Sequence, residues 1–580
     1  MGVKLAKNAG FCMGVRRAMD IVLDIARHMG NERVFTYGPL IHNPQTMELL
    51  KKRGITPLDC MDDIEEGTVI IRAHGISPQE RGNIKAKGIE IVDATCPKVA
   101  NVQSIIKKHA NRDYAILIVG DREHPEVEGL MGYAQGKGTA IGRKEEVSVL
   151  PDLGKVCVVA QTTQNKEEYT EVASEIAKRF PDALIFDTIC DSTERRQAEV
   201  KKMAAEMDAM VIVGGKNSAN TRRLAEISKR WGTPTFHIET AEDLKQIDLS
   251  PYDRVGVSAG ASTPNWIIEK VFDDLNASQR QKEKGRLQSL FNLWVFAVRN
   301  DIYSAIGAGC LLFTSTILQR FNVDFVNIAI AALYVFSMHR LNRITDRKIR
   351  GMEDSFSGEA YRRHQKTYVI IAILSMMTAL AFAFMKGTAP FILLVLISSV
   401  GMLYAVKIFP QSWHFERMKD LPGSKNVLTA LAWAAVTALF PQIELSLTVT
   451  VGMVLAFFFN FTLVFVKSTM SDMVNIQSDR LIGRETIPVL IGENKTRNLL
   501  SGISVFMFVV MTLAYPLRWA PALSFALLAS IFYVWICFYL YDRRSELSGA
   551  VLEGLLQTNY IISGVSALSW YILIKVKGVS

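Results

Sequence analysis

Apolar and polar residues alternate in two unlike ways along this chain, and the change falls near residue 280. Up to about residue 278, short apolar runs are separated by charged, helix-like stretches, the pattern of an α/β protein. The runs predict strands at 4–9, 68–71, 90–92, 114–119, 155–160, 183–186, 210–213, 234–238 and 254–258. From about residue 287 the runs lengthen to the ~17–25 residues that cross a bilayer as helix. Nine candidate spans follow, at 302–318, 323–338, 368–385, 391–408, 426–443, 445–466, 499–517, 522–540 and 561–574. Three regions are therefore expected: 1–278, a linker at 279–299, and a membrane bundle at 300–580. Within the linker, 287–298 is apolar and aromatic, includes Trp294, and suits the membrane interface.

Charge fixes the expected sidedness. The net charge of +9 would suit nucleic acid, but the basic residues are spread over both halves, many of them between the apolar segments. Connections 339–366, 407–425 and 467–497 are rich in Lys and Arg, whereas 319–322 and 386–390 carry little charge. By the positive-inside rule the long loops are cytoplasmic, and an odd number of spans puts Ser580 on the other side. Residues 1–14 show neither an apolar signal core nor a cleavage site, so the first half is expected on the cytoplasmic side of a bacterial inner membrane. No nucleic-acid partner is expected. The seven cysteines, an odd count without paired spacing, fit a reducing compartment rather than a disulfide framework.

The candidate chemistry gathers where apolar runs end. Cys96 closes Ile91-Val92-Asp93-Ala94-Thr95, Cys190 closes 183–189, and Cys12 lies between Gly10-Phe11 and Met13-Gly14. In open parallel sheets, ligands bind beyond the carboxyl ends of strands, so three thiolates in such places suggest zinc or an iron–sulfur cluster with one open position. Cys60 and Cys157 read as core residues. Other strand ends carry Gly and small hydroxyl residues, in Ala73-His74-Gly75, 121–126, Gln161-Thr162-Thr163, 214–220 and 259–264, which suit a phosphate. His42, His74 and His124 stand beside Gly or Pro in loops and are candidates for binding an anion, while His28 and His109 fall in helical patterns. Glu126 is the candidate proton carrier.

Taken in order, Gly10-Phe11-Cys12-Met13-Gly14-Val15, Ile41-His42-Asn43-Pro44, Ala73-His74-Gly75, Asp93-Ala94-Thr95-Cys96-Pro97, His124-Pro125-Glu126-Val127-Glu128-Gly129, Gln161-Thr162-Thr163, Asn217-Ser218-Ala219-Asn220 and Ala259-Gly260-Ala261-Ser262 resemble the IspH/LytB family of 4-hydroxy-3-methylbut-2-enyl diphosphate reductases, over about residues 1–277. The resemblance implies the last step of the non-mevalonate isoprenoid pathway, on three α/β modules around a central 4Fe-4S cluster. It implies that Cys12, Cys96 and Cys190 hold the cluster, and that His42, His74, His124, Ser218, Asn220 and Ser262 surround the diphosphate. It further implies that Thr162 meets the substrate hydroxyl, that Glu126 delivers protons, and that ferredoxin or flavodoxin supplies electrons. Ala219 stands where the family commonly has a second serine.

In the second half, Asn342 and Asp346 are four apart, and Asp472, Asn475 and Asp479 fall at spacings of three and four, so each set would share a helix face. Such oxygen ligands suit magnesium bridging a diphosphate. Together with Tyr404-x-x-Lys407, Lys419-Asp420-Leu421-Pro422-Gly423-Ser424-Lys425-Asn426 and Gly483-Arg484-Glu485-Thr486-Ile487-Pro488, they resemble the UbiA family of intramembrane prenyltransferases, over about residues 290–575. That resemblance implies an all-α polytopic bundle, Mg2+ on Asn342, Asp346, Asp472, Asn475 and Asp479, and a diphosphate met by Lys407 and Lys425. Arg350 stands where the first motif usually has another Asp. Two readings follow. Either a reductase is fused to a prenyltransferase of unknown acceptor, or the second half is a degraded membrane anchor for a reductase or cluster-sensing module.

Overall fold

The computed structural model describes residues 2–28, 33–58, 66–282, 286–350, 359–404, 418, 421, 423–445, 448–482, 484–544 and 547–577, with side chains left out at some segment ends. Cys60, Lys407, Lys419, Asp420 and the side chains of Asp346 and Arg350 lie outside the described residues. The chain divides into two units, Met1–Gln281 and Lys282–Ser580.

The described strands of the first unit are β1 (Gly2–Leu5), β2 (Val34–Tyr37), β3 (Ile55–Leu58), β4 (Thr68–Ile71), β5 (Glu90–Asp93), β6 (Ala115–Val119), β7 (Gly138–Ile141), β8 (Val156–Ala160), β9 (Leu184–Ile185), β10 (Ala209–Val213), β11 (Thr235–Ile238) and β12 (Arg254–Ala259). They form three four-stranded sheets, ordered β3-β2-β4-β5, β7-β6-β8-β9 and β11-β10-β12-β1. Every pairing is parallel. The order is the same each time: the second strand, the first, the third, then the fourth at the edge. In the last module the fourth place is taken by β1 from the chain's start. Parallel strands need crossover helices, which cover the sheets and leave β4, β8 and β10 buried along their whole length.

Three strands were not anticipated. β3 holds Pro57, β7 reads Gly-Thr-Ala-Ile, and both are partly exposed sheet edges without a continuous apolar run; β2, Val-Phe-Thr-Tyr, alternates. The first strand covers Gly2–Leu5 rather than 4–9.

The described part of the second unit is helical. Its core runs through Leu311, Tyr334, Trp433, Phe459, Leu463, Met470 and Tyr560. Leu374, Met377, Phe458, Phe506 and Leu573 face outward, as expected of helices solvated by lipid. Among the described residues, six helices are long and apolar enough to cross a membrane, or seven if Arg286–Arg299 and Ile302–Leu318 form one span broken by an 81° bend. This corrects the expected nine. Apolar runs in the sequence do not reveal how much of each is helix: Thr388–Leu403 has 16 residues, so it rises only about 24 Å against a hydrocarbon core of roughly 30 Å.

Candidate active sites

Each candidate thiol follows the fourth strand of a module: Cys96 after β5, Cys190 after β9 and Cys12 after β1. Cys96 and Cys190 are N-caps of the helices Pro97–Ala110 and Asp191–Glu206, and Cys12 directly precedes the helix Met13–His28. A helix N-terminus favours a thiolate, while burial pushes the Cys96 thiol up. The backbone N–H of each cysteine donates to the loop after its module's third strand, at 3.0 Å from Cys96 to Ala73, 3.0 Å from Cys190 to Thr162 and 3.2 Å from Cys12 to Ala261. One hydrogen bond, made three times, brings each thiol next to a loop carrying a candidate substrate residue: His74, Thr162 or Ser262.

The three thiols converge. A Cβ on Gly14 would lie 2.6 Å from Cys96 Sγ and 3.9 Å from Cys12 Sγ, so only glycine leaves room between them. Cys190 is within electrostatic reach of Cys96, and both Cys12 and Cys190 are within reach of the buried Arg196. Cys157 is fully buried in the β8 core, as expected.

The histidines meet beyond the first and third strands. Ring centroids lie 4.9 Å apart for His42 and His74, 5.8 Å for His42 and His124, and 5.4 Å for His74 and His124. His124 caps the helix Pro125–Tyr133, its Nδ1 accepting from the Glu126 N–H at 3.1 Å, which leaves the proton on Nε2. Burial holds all three rings below the usual histidine range: His42 is lowered, His74 well below, and His124 brought to about 3, with Arg72 adding to each. His42 Nε2, His74 Nδ1 and both side-chain atoms of Asn220 are buried without a partner. Unmade hydrogen bonds of this number are costly unless a ligand completes them. Ser218 caps the helix Ala219–Arg230, and Ser262 Oγ donates to the His42 carbonyl at 3.3 Å.

Glu126 is buried, and one residue holds both its oxygens. Thr162 donates its N–H to Oε1 at 2.6 Å and its hydroxyl to Oε2 at 2.9 Å. Burial raises the Glu126 pKa against the pull of those two bonds. Behind Thr162, Arg223 pairs with Asp121 at 2.9 Å and donates to the Thr163 carbonyl at 3.1 Å.

In the second unit, Asp472 lies in the helix Val451–Val474, Asn475 closes that helix, and Asp479 lies in the helix Ile476–Ile482. The three do not share one helix face as their spacing suggested. Asn475, at φ −97° and ψ 12°, breaks the helix, is exposed, and donates to the Ser471 carbonyl at 3.0 Å. Asp472 is 1% exposed; Lys425 donates to its Oδ1 at 2.6 Å, while Oδ2 is buried without a partner. Lys425 also feels the buried Asp479. Asn342 lies on the helix Phe325–Arg350 and is exposed.

The family model of the LytB protein matches residues 3–276. The 4-hydroxy-3-methylbut-2-enyl diphosphate reductase of Geobacter sulfurreducens is 42% identical over 283 residues, 49% of this chain and all of that relative. The chain belongs to the LytB family. The reductase of the same name from Aquifex aeolicus is 44% identical over 46% of this chain and 93% of its own length. Residues 305–553 match the model of the UbiA prenyltransferase family. A UbiA homolog from Archaeoglobus fulgidus, solved bound to GPP and Mg2+, is 15% identical over 48% of this chain and 99% of its own, with a TM-score of 0.35.

The LytB half also contains charged residues that sequence reasoning passed over. Arg72 and Arg222 act on His42, and Arg223 braces the Thr162 loop. Arg196 had a legible signal, because Thr193, Arg196, Val200 and Met203 form the buried stripe of their helix and the arginine occupies an otherwise uncharged register.

Proposed function

We propose that the LytB half reduces 4-hydroxy-3-methylbut-2-enyl diphosphate to isopentenyl and dimethylallyl diphosphate, and that the UbiA-like half transfers a prenyl group from a diphosphate. The observation that carries the first reading is the approach of Cys12 and Cys96 across Gly14, with Cys190 in electrostatic reach of Cys96, one thiol from each module, beside an anion cradle and a buried acid.

The donor set fits a 4Fe-4S cluster. Three thiols stand at helix N-termini, a glycine keeps the space between two of them open, and Arg196 Nη1 is a buried donor without a partner. When bound, such a cluster supplies single electrons and a Lewis-acidic iron. The rest falls to the chain's own residues. His42, His74, His124, Ser218, Asn220 and Ser262 hold the diphosphate and orient the allylic carbon skeleton. The rings, held below the usual histidine range before binding, present N–H groups to it, and Arg72 and Arg222 add positive charge. Glu126, kept in place by Thr162, holds a proton in a water-poor pocket and passes it to the departing hydroxyl, which leaves as water. Substrate, two electrons and two protons then balance product and one water. An external one-electron carrier of the ferredoxin or flavodoxin class serves as donor, and the LytB half works on the cytoplasmic side.

Anaerobic turnover of the full chain with 4-hydroxy-3-methylbut-2-enyl diphosphate and a one-electron donor tests this directly. Both five-carbon diphosphates should appear. An iron- and sulfide-replete chain that forms neither would refute the assignment.

In the UbiA-like half, the unpartnered Asp472 Oδ2 and the nearby Asp479 suit a divalent cation, with Lys425 facing the same carboxylates. Asn342, Asp346 and Asn475 complete the proposed Mg2+ set, and Lys407 with Lys425 meets the diphosphate.

A further inference from the structure

Arg196 is 2% exposed and sits six residues past Cys190 on the helix Asp191–Glu206. Its guanidinium faces the loop that carries Cys12. Nε donates to the Asn8 carbonyl at 2.8 Å and Nη2 to the Gly10 carbonyl at 2.7 Å, while Nη1 is buried without a partner. The negative groups within its reach are Cys12, Cys190 and Glu199. Glu199 is otherwise engaged, accepting from Lys7 N at 2.7 Å, Asn8 N at 2.9 Å and Asn8 Nδ2 at 2.8 Å, so it pins the same loop from the same helix. A fully buried cation that spends its bonds on neutral carbonyls is costly unless an anion lies beside it. Beside Glu199, the sulfur ligands Cys12 and Cys190 of a bound cluster would supply that negative charge.

We infer that Arg196 is a positioning residue that ties the Cys12 loop to the Cys190 helix, offers Nη1 to the sulfur ligands, and thereby raises the reduction potential of the cluster. The inference rests on the reductase reading and deepens it. Adding an electron makes the cluster more negative, and a fixed positive charge in a dry site favours that state. The two carbonyl bonds orient the charge; a lysine could supply the charge without the fork.

The test uses the full chain, reconstituted anaerobically with iron and sulfide, as wild type, Arg196→Lys and Arg196→Gln. Iron and sulfide per chain are measured first, then the midpoint potential by spectroelectrochemical titration. Arg196→Gln should load the cluster and titrate at a more negative potential, with a reduction equilibrium at least tenfold less favourable, about 59 mV for one electron. Arg196→Lys should fall between it and wild type. Equal midpoints in all three would overturn the inference. So would failure of both variants to load iron, which would reduce Arg196 to a structural clamp. A wild-type chain that takes up no cluster would sink the reductase reading itself, a result separable from either variant outcome.

Discussion

At the scale of single residues, the decisive contacts are those that fix the proton carrier in position, while burial favours its protonated form. Thr162 bonds both oxygens of Glu126, and burial keeps the carboxyl pKa above its ordinary value. Glu126→Gln keeps the shape and removes the transferable proton, so turnover should fall by about 10²–10⁴-fold with iron content unchanged; a loss below tenfold would remove Glu126 from the proton path. An acid works only while protonated, so the rate should decline as pH rises through the raised Glu126 pKa. The histidines behave oppositely. Their folded pKa values are depressed, so their contribution to stability is present above about 6.5 and is lost as pH falls toward the about 3 of His124. A bound diphosphate reverses that depression, so binding inorganic pyrophosphate near pH 7 should draw protons onto the cradle. Calorimetry in buffers of different ionisation enthalpy measures this, and equal heats would show that the rings stay neutral. Most of this site was legible in the sequence, because His, Cys and Glu beside Gly or Pro stand out. Arg196 was passed over, since a helical arginine reads as solvated until the buried stripe of its helix is traced.

At the scale of elements, the LytB half is one topology used three times, with a thiol after each fourth strand. The sequence hides this, because the third module borrows residues 2–5 from the opposite end of the unit and because β3 and β7 are short polar edges. The convergence of the thiols depends on Gly14, where a Cβ would meet Cys96 Sγ at 2.6 Å, with sulfur and neighbouring backbone obliged to give way. Gly14→Ala should therefore fold, since alanine suits a helix, yet bind markedly less iron and sulfide; full loading would show that the cradle has slack. The membrane half contains a comparable joint. At the 81° bend between Arg286–Arg299 and Ile302–Leu318, Asp301 adopts φ +60° and its carboxylate lies 3.1 Å from Nε of the fully buried Arg340, which also donates to Asn300 at 3.0 Å. Removing one member of a buried pair costs about 3–5 kcal/mol. Asp301→Ala should lower the melting temperature in detergent by several degrees, and an unchanged value would mean that the bend is held by packing alone. Leu287, Leu290, Leu293 and Phe296 are exposed apolar residues on the helix Arg286–Arg299.

At the scale of the whole molecule, a LytB half and a UbiA-like membrane half share one chain, and the choice is whether the membrane half works or only anchors. Anchoring requires nothing of polar residues inside the bundle. An anchor would have no reason to keep Asp472 1% exposed with one oxygen unpartnered and a lysine on the other, because a charged pair in an apolar bundle is expensive and is retained where it serves a ligand. With Arg350 where the first motif usually has another Asp, the proposed metal set would have one oxygen ligand fewer there, and catalysis would rest on Asp472 and Asp479. Catalysis therefore predicts that full-length chain in detergent, given Mg2+, a labelled prenyl diphosphate and a membrane-lipid extract, will incorporate label. Asp472→Ala should lower that incorporation by at least about 10²-fold, the usual scale for removing one preorganised electrostatic group, while reduction of 4-hydroxy-3-methylbut-2-enyl diphosphate proceeds at the wild-type rate. Loss of both activities would instead indicate a misfolded chain. No incorporation by wild type with donors of five to twenty carbons would give the membrane half to anchoring, and the buried Asp472–Lys425 pair would then need a structural explanation.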